Sequence, residues 1–312
     1  MTDVLASGVH NAITDVPGIR VGQVTVREEG RFNTGITAIV PDTLPIPAAV
    51  FAGNGYGKLI GVTQIQELGE IETPILLTGT LSAFRVADHL VSWMLQQQGN
   101  EEMTSVNPVV GETNDGYLSD IRARPLAEEH VFAALQSATD GPVVQGCVGA
   151  GAGTSMCGFK GGIGTSSRIV SLQDGDAFTI GALAQTNFGG TLTIAGKPYP
   201  VPIDSSPEFG SCMIVVATDA SLDARQLARV ARRAVFAMAR VGASYSHGSG
   251  DYAIAISTRR DGSLPDAALS PIFTATMDAV ESALLNSALH AETTHGPDGR
   301  VRRSLPDCYP DI

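Results

Sequence analysis

Residues 208–220 read EFGSCMIVVATDA. From Cys212 to Ala217 the chain is continuously apolar, the pattern of a strand covered on both faces, and the pair Gly210-Ser211 stands at its mouth. Taken alone, Gly-Ser is an ordinary turn before a strand. A second reading carries chemistry. A serine that follows glycine and leads into a buried strand suits a self-processing hydrolase, because glycine permits a strained backbone in which the serine hydroxyl attacks its own preceding carbonyl. An N→O acyl shift followed by hydrolysis would free Ser211 as a new N-terminus. Its α-amino group, titrating near pH 8 or slightly below, could then accept a proton close to neutrality.

Outward from this strand, further short apolar runs at 35–40, 48–51, 75–78, 109–111, 143–148, 167–172, 178–185, 191–194 and 252–257 read as strands. Helical periodicity marks 82–98, 126–137, 222–241 and 270–291. Ser221 reads as the N-cap of the third helix, with Asp223 in its first turn. The five arginines of that helix (Arg225, Arg229, Arg232, Arg233 and Arg240) read as a solvated or ion-paired outer face. Helices and strands do not alternate regularly enough for a TIM barrel. A layered α/β sandwich, with two sheets inside and helices outside, fits better. Residues 197–209 form the one Pro-rich connector, and it ends at the Gly-Ser pair.

The chain has 312 residues, of which 43% are hydrophobic and 17% charged, enough to bury a large core. A formal net charge of -12 disfavours a surface that tracks nucleic-acid phosphates. No apolar run approaches the roughly 20 residues of a membrane span, and MTDVLASGVHNAITD has neither the basic start nor the apolar stretch of a secretory signal. Cys147, Cys157, Cys212 and Cys308 lack C-x-x-C spacing and read as reduced thiols of a cytoplasmic protein. Of thirty-five glycines, sixteen cluster at 53–61, 147–165, 187–190 and 242–251, which suggests a site assembled from several loops.

The glycine run 149–165 fails as a dinucleotide fingerprint at Thr154, and as a P-loop at Phe159, where lysine is required. The six histidines are scattered and form no metal motif. His247 lies close enough to Ser249 in sequence to be considered as a base, but no G-x-S-x-G elbow accompanies it. A serine activated by something other than histidine remains.

The chain as a whole resembles the DmpA/BapA family of serine peptidases, the L-aminopeptidase/D-esterases and β-peptidyl aminopeptidases. The resemblance rests on NAITDVPGIRVGQVT (11–25), GNGYGKLIG (53–61), QIQELGEIETPILLTGTLS (64–82) and NPVVGETNDGYLSDI (107–121). It continues through GAGTSMCGFKGGIGTSSR (151–168), QTNFGG (185–190), GSCMIVVATDASLD (210–223) and GSGDYAIAIST (248–258). It implies a four-layer αββα sandwich of the Ntn-hydrolase-like kind. A single domain would be cleaved between Gly210 and Ser211 into an α chain, 1–210, and a β chain, 211–312. It implies Ser211 as nucleophile, Ser249 and Asp251 as a hydroxyl–carboxylate relay, and Asn187 as oxyanion donor. Glu112 would hold the substrate ammonium, with Asn114 and Tyr117 beside it. At position 251 this chain carries Asp where β-peptidase members carry Glu.

The implied activity is removal of N-terminal residues from short peptides, amides or esters, without metal or cofactor, by a homotetramer of processed protomers. Two other readings stand beside it. One is an acyltransferase similar to ornithine acetyltransferase, whose nucleophile is Thr. The other is an unprocessed ligand-binding relative, which would be expected to have lost some of Ser211, Ser249, Asp251 and Asn187. Singly, each of these residues reads as a turn or surface residue. Their joint occurrence in family order favours the peptidase.

Overall fold

In the computed structural model, which describes residues 5–172, 175–201 and 210–312, the apolar runs assemble into two stacked sheets. Their strands, in chain order, are Ile19–Glu28 (β1), Phe32–Pro41 (β2), Ile46–Gly55 (β3), Leu59–Ile60 (β4), Glu70–Ile71 (β5), Ile75–Gly79 (β6) and Val109–Thr113 (β7). Ile163–Ser171 (β8), Ala177–Asn187 (β9), Ser211–Thr218 (β10) and Gly250–Ser257 (β11) follow. One sheet has the order β1-β2-β6-β7-β4 and the other β8-β9-β10-β11-β3-β5. Each has one parallel pair, β6 with β7 and β10 with β11, and antiparallel neighbours otherwise.

The two sheets meet face to face through Ile19, Ile39, Ile75, Leu77, Leu183, Met213, Val215 and Ile254, all buried. Helices cover the outer faces. Ala83–Leu95 (α2) and Glu128–Gln136 (α3) pack Val86, Leu90, Val131 and Leu135 onto the first sheet. Ala224–Ala237 (α4) and Leu269–Leu289 (α5) pack Leu227, Val230, Ile272 and Leu284 onto the second. The layers therefore run αββα. The double cover explains why β10 and β11 are buried at every position and carry no alternation.

All four expected helices are present, the third ending in a 3-10 turn at Met238–Val241. Its cap is Asp223, not Ser221. The Asp223 carboxylate accepts from Gln226 N–H at 2.7 Å, and Gln226 Oε1 accepts from Asp223 N–H at 3.3 Å. In α4, Arg225 and Arg229 pair with Asp266 just before α5, Arg233 lies 3.8 Å from the Phe273 ring centre and Arg232 lies 5.3 Å from that of Phe51; Arg240, in the 3-10 turn, pairs with Asp278 and Glu281.

Two strand expectations change, and one long strand, β1, was not expected. Residues 143–148 form no strand; they meet β8 through a bridge from Gly146 to Ile163 and through Gln145 Oε1, which accepts from Thr165 N–H at 2.8 Å. Of 191–194, only Thr193–Ile194 pairs, with Lys197–Pro198. β1 was hidden because charged and polar residues fill its half-exposed second half. The seven-residue helix Val62–Leu68 (α1) buries only Ile65, too little to show as a periodic face.

Candidate active site

Strand direction gathers the site. β6 and β7 run in parallel and end together at Gly79 and Thr113, while β10 and β11 run in parallel and begin together at Ser211 and Gly250. The end of β9 adds Asn187, which sits directly opposite Ser211 across the antiparallel ladder, and the end of β3 adds Gly55 opposite Gly250. A cavity of about 490 Å3 opens here, lined by Gly55, Tyr56, Gly57, Lys58, Thr80, Glu112, Asn114, Ser211 and Gly248.

Close backbone approach explains the glycines at its floor. The segment 55–58 crosses β11 so tightly that a Cβ on Gly250 would lie 2.9 Å from Gly57 Cα. Gly57 O accepts from the Tyr252 hydroxyl at 3.1 Å, and Tyr56 N–H donates to Ser249 O at 3.1 Å, so the crossing is tethered. Gly210 is required for the same reason and not for a left-handed backbone: its φ is not positive, but a Cβ there would lie 2.7 Å from Phe188 Cα.

Ser211 is buried at the head of β10. The Gly250 N–H lies 3.3 Å from Ser211 Oγ and 3.3 Å from the Gly210 carbonyl oxygen, so one donor faces both the hydroxyl and the carbonyl that precedes it. Ser249 Oγ donates to Asp251 Oδ1 at 2.7 Å. With its proton committed there, the Ser249 oxygen has only lone pairs left to offer. Asp251 is fully buried, and burial pushes its carboxyl pKa up, against the pull of the Ser249 hydrogen bond. Asp251 Oδ2 is buried with no hydrogen-bond partner among the described residues.

Asn187 is locked at both ends of its amide. Oδ1 accepts from Ser155 N–H at 3.0 Å and Nδ2 donates to Asn114 O at 2.9 Å. One Nδ2 proton is left over, on the residue facing Ser211. Glu112 is buried on β7, and its Oε1 accepts from Lys58 N–H at 2.8 Å and from Lys58 Nζ at 3.5 Å. Lys58 Nζ also donates to Thr80 Oγ1 at 2.8 Å.

The structure thus brings Ser211, Ser249, Asp251, Asn187, Glu112 and Asn114 to one end of the sandwich. Tyr117 stands apart from the cavity lining, its ring beneath the Arg302 guanidinium at 3.8 Å. His247 is exposed, with its ring 6.2 Å from that of Tyr56. The run 149–165 is buried throughout and offers no open phosphate cradle. Lys58 and Thr80 were missed as site residues, although Lys58 lies within the quoted GNGYGKLIG. A lysine in a glycine-rich loop reads as a surface charge until the fold sets it against Glu112.

The arrangement offers a serine hydroxyl with a main-chain donor, a side-chain amide opposite it, a hydroxyl–carboxylate pair and a buried carboxylate for a cation. Comparison with known proteins agrees in extent and in kind. The family model described as Peptidase family S58 matches residues 11–302. A β-peptidyl aminopeptidase of Sphingosinicella microcystinivorans is 35% identical, over 96% of this chain and 86% of that one. Among solved structures, a Pyrococcus horikoshii protein shares 43% identity at a TM-score of 0.90, covering 97% of this chain and 94% of that one. The L-aminopeptidase D-Ala-esterase/amidase of Ochrobactrum anthropi, described as a variant of the Ntn hydrolase fold, shares 34% at a TM-score of 0.91, covering 97% and 93%. The chain has the Ntn-hydrolase sandwich of these aminopeptidases, belongs to peptidase family S58, and is a peptidase of the serine aminopeptidase kind.

Proposed function

We propose that the chain cleaves itself between Gly210 and Ser211 and that the freed Ser211 then removes N-terminal residues from short peptides, amides or esters bearing a free amine. The observation that carries this reading is the Gly250 N–H, 3.3 Å from both the Gly210 carbonyl oxygen and Ser211 Oγ. In maturation, Ser211 Oγ adds to the Gly210 carbonyl carbon while that N–H stabilises the oxyanion. Collapse breaks the C–N bond, the nitrogen takes the proton, and an ester links Gly210 to Ser211 Oγ. Water hydrolyses that ester and releases the amine.

In turnover, the neutral Ser211 amine takes the proton of its own hydroxyl, which attacks the substrate carbonyl. The free Nδ2 proton of Asn187 meets the developing oxyanion. The leaving amine departs with the proton, leaving an acyl-enzyme on Oγ that water hydrolyses. The acceptor lone pairs of Ser249, aligned by Asp251, hold the ammonium formed on Ser211. Glu112 binds the substrate ammonium, and Asn114 lines the same pocket. Exposed Tyr56, at the cavity, and exposed Leu81 and Phe84 supply apolar surface that assembly of processed protomers into a homotetramer would cover.

An amino-acyl p-nitroanilide and its N-acetyl derivative test the reading. Purified enzyme should release p-nitroaniline from the free amine and leave the acetylated compound nearly intact. Equal rates on the two would contradict it.

A further inference from the structure

Lys58 gives the ammonium pocket a second charge of opposite sign. Lysine carries three N–H donors. Two of these go to Thr80 Oγ1, at 2.8 Å, and to Glu112 Oε1, at 3.5 Å. The third has no partner among the described residues, on a side chain that lines the cavity and is 39% exposed. On Glu112, Lys58 occupies Oε1 twice, through its N–H and its Nζ, and Oε2 takes no hydrogen bond from the described residues. A buried anion with a free oxygen and a cation with a free N–H therefore stand side by side, Lys58 Nζ lying 3.5 Å from Glu112 Oε1. A simple amine would satisfy only the first of them.

We propose that Lys58 is a specificity-determining residue and that the pocket takes a zwitterionic head group, an ammonium on Glu112 with a carboxylate on Lys58. This rests on the aminopeptidase reading above and names its substrate class. With Lys58 Nζ only 3.5 Å from Glu112 Oε1, the substrate's two charges must lie close together, and the most compact arrangement places them on the same carbon. That is the head of an α-amino acid, and the carbonyl attacked by Ser211 must then lie in its side chain. The shortest such compounds are β-aspartyl peptides and amides. Seen from the scissile carbonyl these are β-amino acyl groups, with a carboxylate added to the amine-bearing carbon. Attack of Ser211 on the β-carbonyl expels the leaving amine and forms a β-aspartyl ester, which water hydrolyses to aspartate.

Three p-nitroanilides test this in wild type, Lys58→Met and Lys58→Arg. They are L-aspartic acid β-p-nitroanilide, the same compound with its α-carboxylate converted to carboxamide, and β-alanine p-nitroanilide. The readout is the ratio of kcat/KM between the carboxylate and carboxamide compounds within one preparation, so that a smaller folded or processed fraction cancels. Wild type should favour the carboxylate by about 10-fold to 100-fold, the range of a hydrogen bond to a charged group. Lys58→Met should bring the ratio near one, chiefly through KM, and Lys58→Arg should keep most of it. A wild-type ratio near or below one, or a preference that survives Lys58→Met, overturns the assignment. If β-alanine p-nitroanilide is hydrolysed in those cases, the aminopeptidase reading stands without it. If none of the three is cleaved by processed wild type, both fail.

Discussion

Asn187 and Ser211 face each other because β9 and β10 are antiparallel and in register there, and Gly250 joins them because β11 runs parallel to β10. The Asn187 amide is held by Ser155 and Asn114, so a substitution removes a donor that is already oriented. In mature enzyme Asn187→Ala should lower kcat by about 10²–10³ with KM less affected, as steady-state kinetics would show. A wild-type kcat would remove Asn187 from the reaction. Glu112→Gln withdraws the buried anion beside Lys58 and should weaken kcat/KM for amine substrates by about 2–5 kcal/mol. Unchanged kcat/KM would place the amine elsewhere. Sequence motifs pointed to Ser211, Ser249, Asp251, Asn187 and Glu112, since each lies in a short recognisable string. Lys58 depended on a contact spanning 54 positions, and the second reading of Tyr117, beneath Arg302, depended on the C-terminal segment folding over it.

At the level of elements, the four covering helices were legible because each lays an apolar face on a sheet, whereas α1, boundaries and caps were not. Ser221 and Asp223 are both good caps by composition, and the choice fell to Asp223 because Gln226 stands three residues on and completes the reciprocal pair. Asp223→Ala should therefore cost about 1 kcal/mol in denaturant unfolding, and Ser221→Ala distinctly less. Equal losses would contradict this cap. The apolar stretch 143–148 looked like a strand, yet its backbone pairs with a strand only at the bridge from Gly146 to Ile163. β8 is an edge strand, but further along its outer N–H groups at Thr165, Ser167 and Ile169 donate to Gln145 Oε1, Asn11 Oδ1 and Ala6 O, which leaves no ladder for this run to extend.

Across the whole molecule, the layers were legible in outline, because doubly covered strands lose alternation. The charges they bury were not. Asp115 and Lys160 are both fully enclosed. Burial pushes Asp115 up to about 6, with the Thr34 hydroxyl, donating at 2.7 Å, pulling the other way. Burial likewise pulls Lys160 down to about 8, although its Nζ donates to the carbonyls of Gly151 and Gly161. An acid whose pKa is higher folded than unfolded binds its proton more tightly in the native state. Stability from Asp115 is thus present below about pH 4 and declines as pH rises to about 6, by roughly 3 kcal/mol in all. Asp115→Asn cannot ionise. Its melting temperature relative to wild type should rise between pH 4 and pH 7, and a difference independent of pH would contradict this assignment.

The proposed maturation would join all three scales, since one hydroxyl, the parallel β10–β11 pair and a division of the chain at 210/211 would have to act together. Intact-mass spectrometry under denaturing conditions, with N-terminal sequencing of the smaller species, measures it directly. Wild type should give two polypeptides, the larger ending at Gly210 and the smaller beginning at Ser211, and Ser211→Ala should give one inactive chain. Active wild-type enzyme that runs as a single uncut chain, with no terminus at Ser211, would contradict the account.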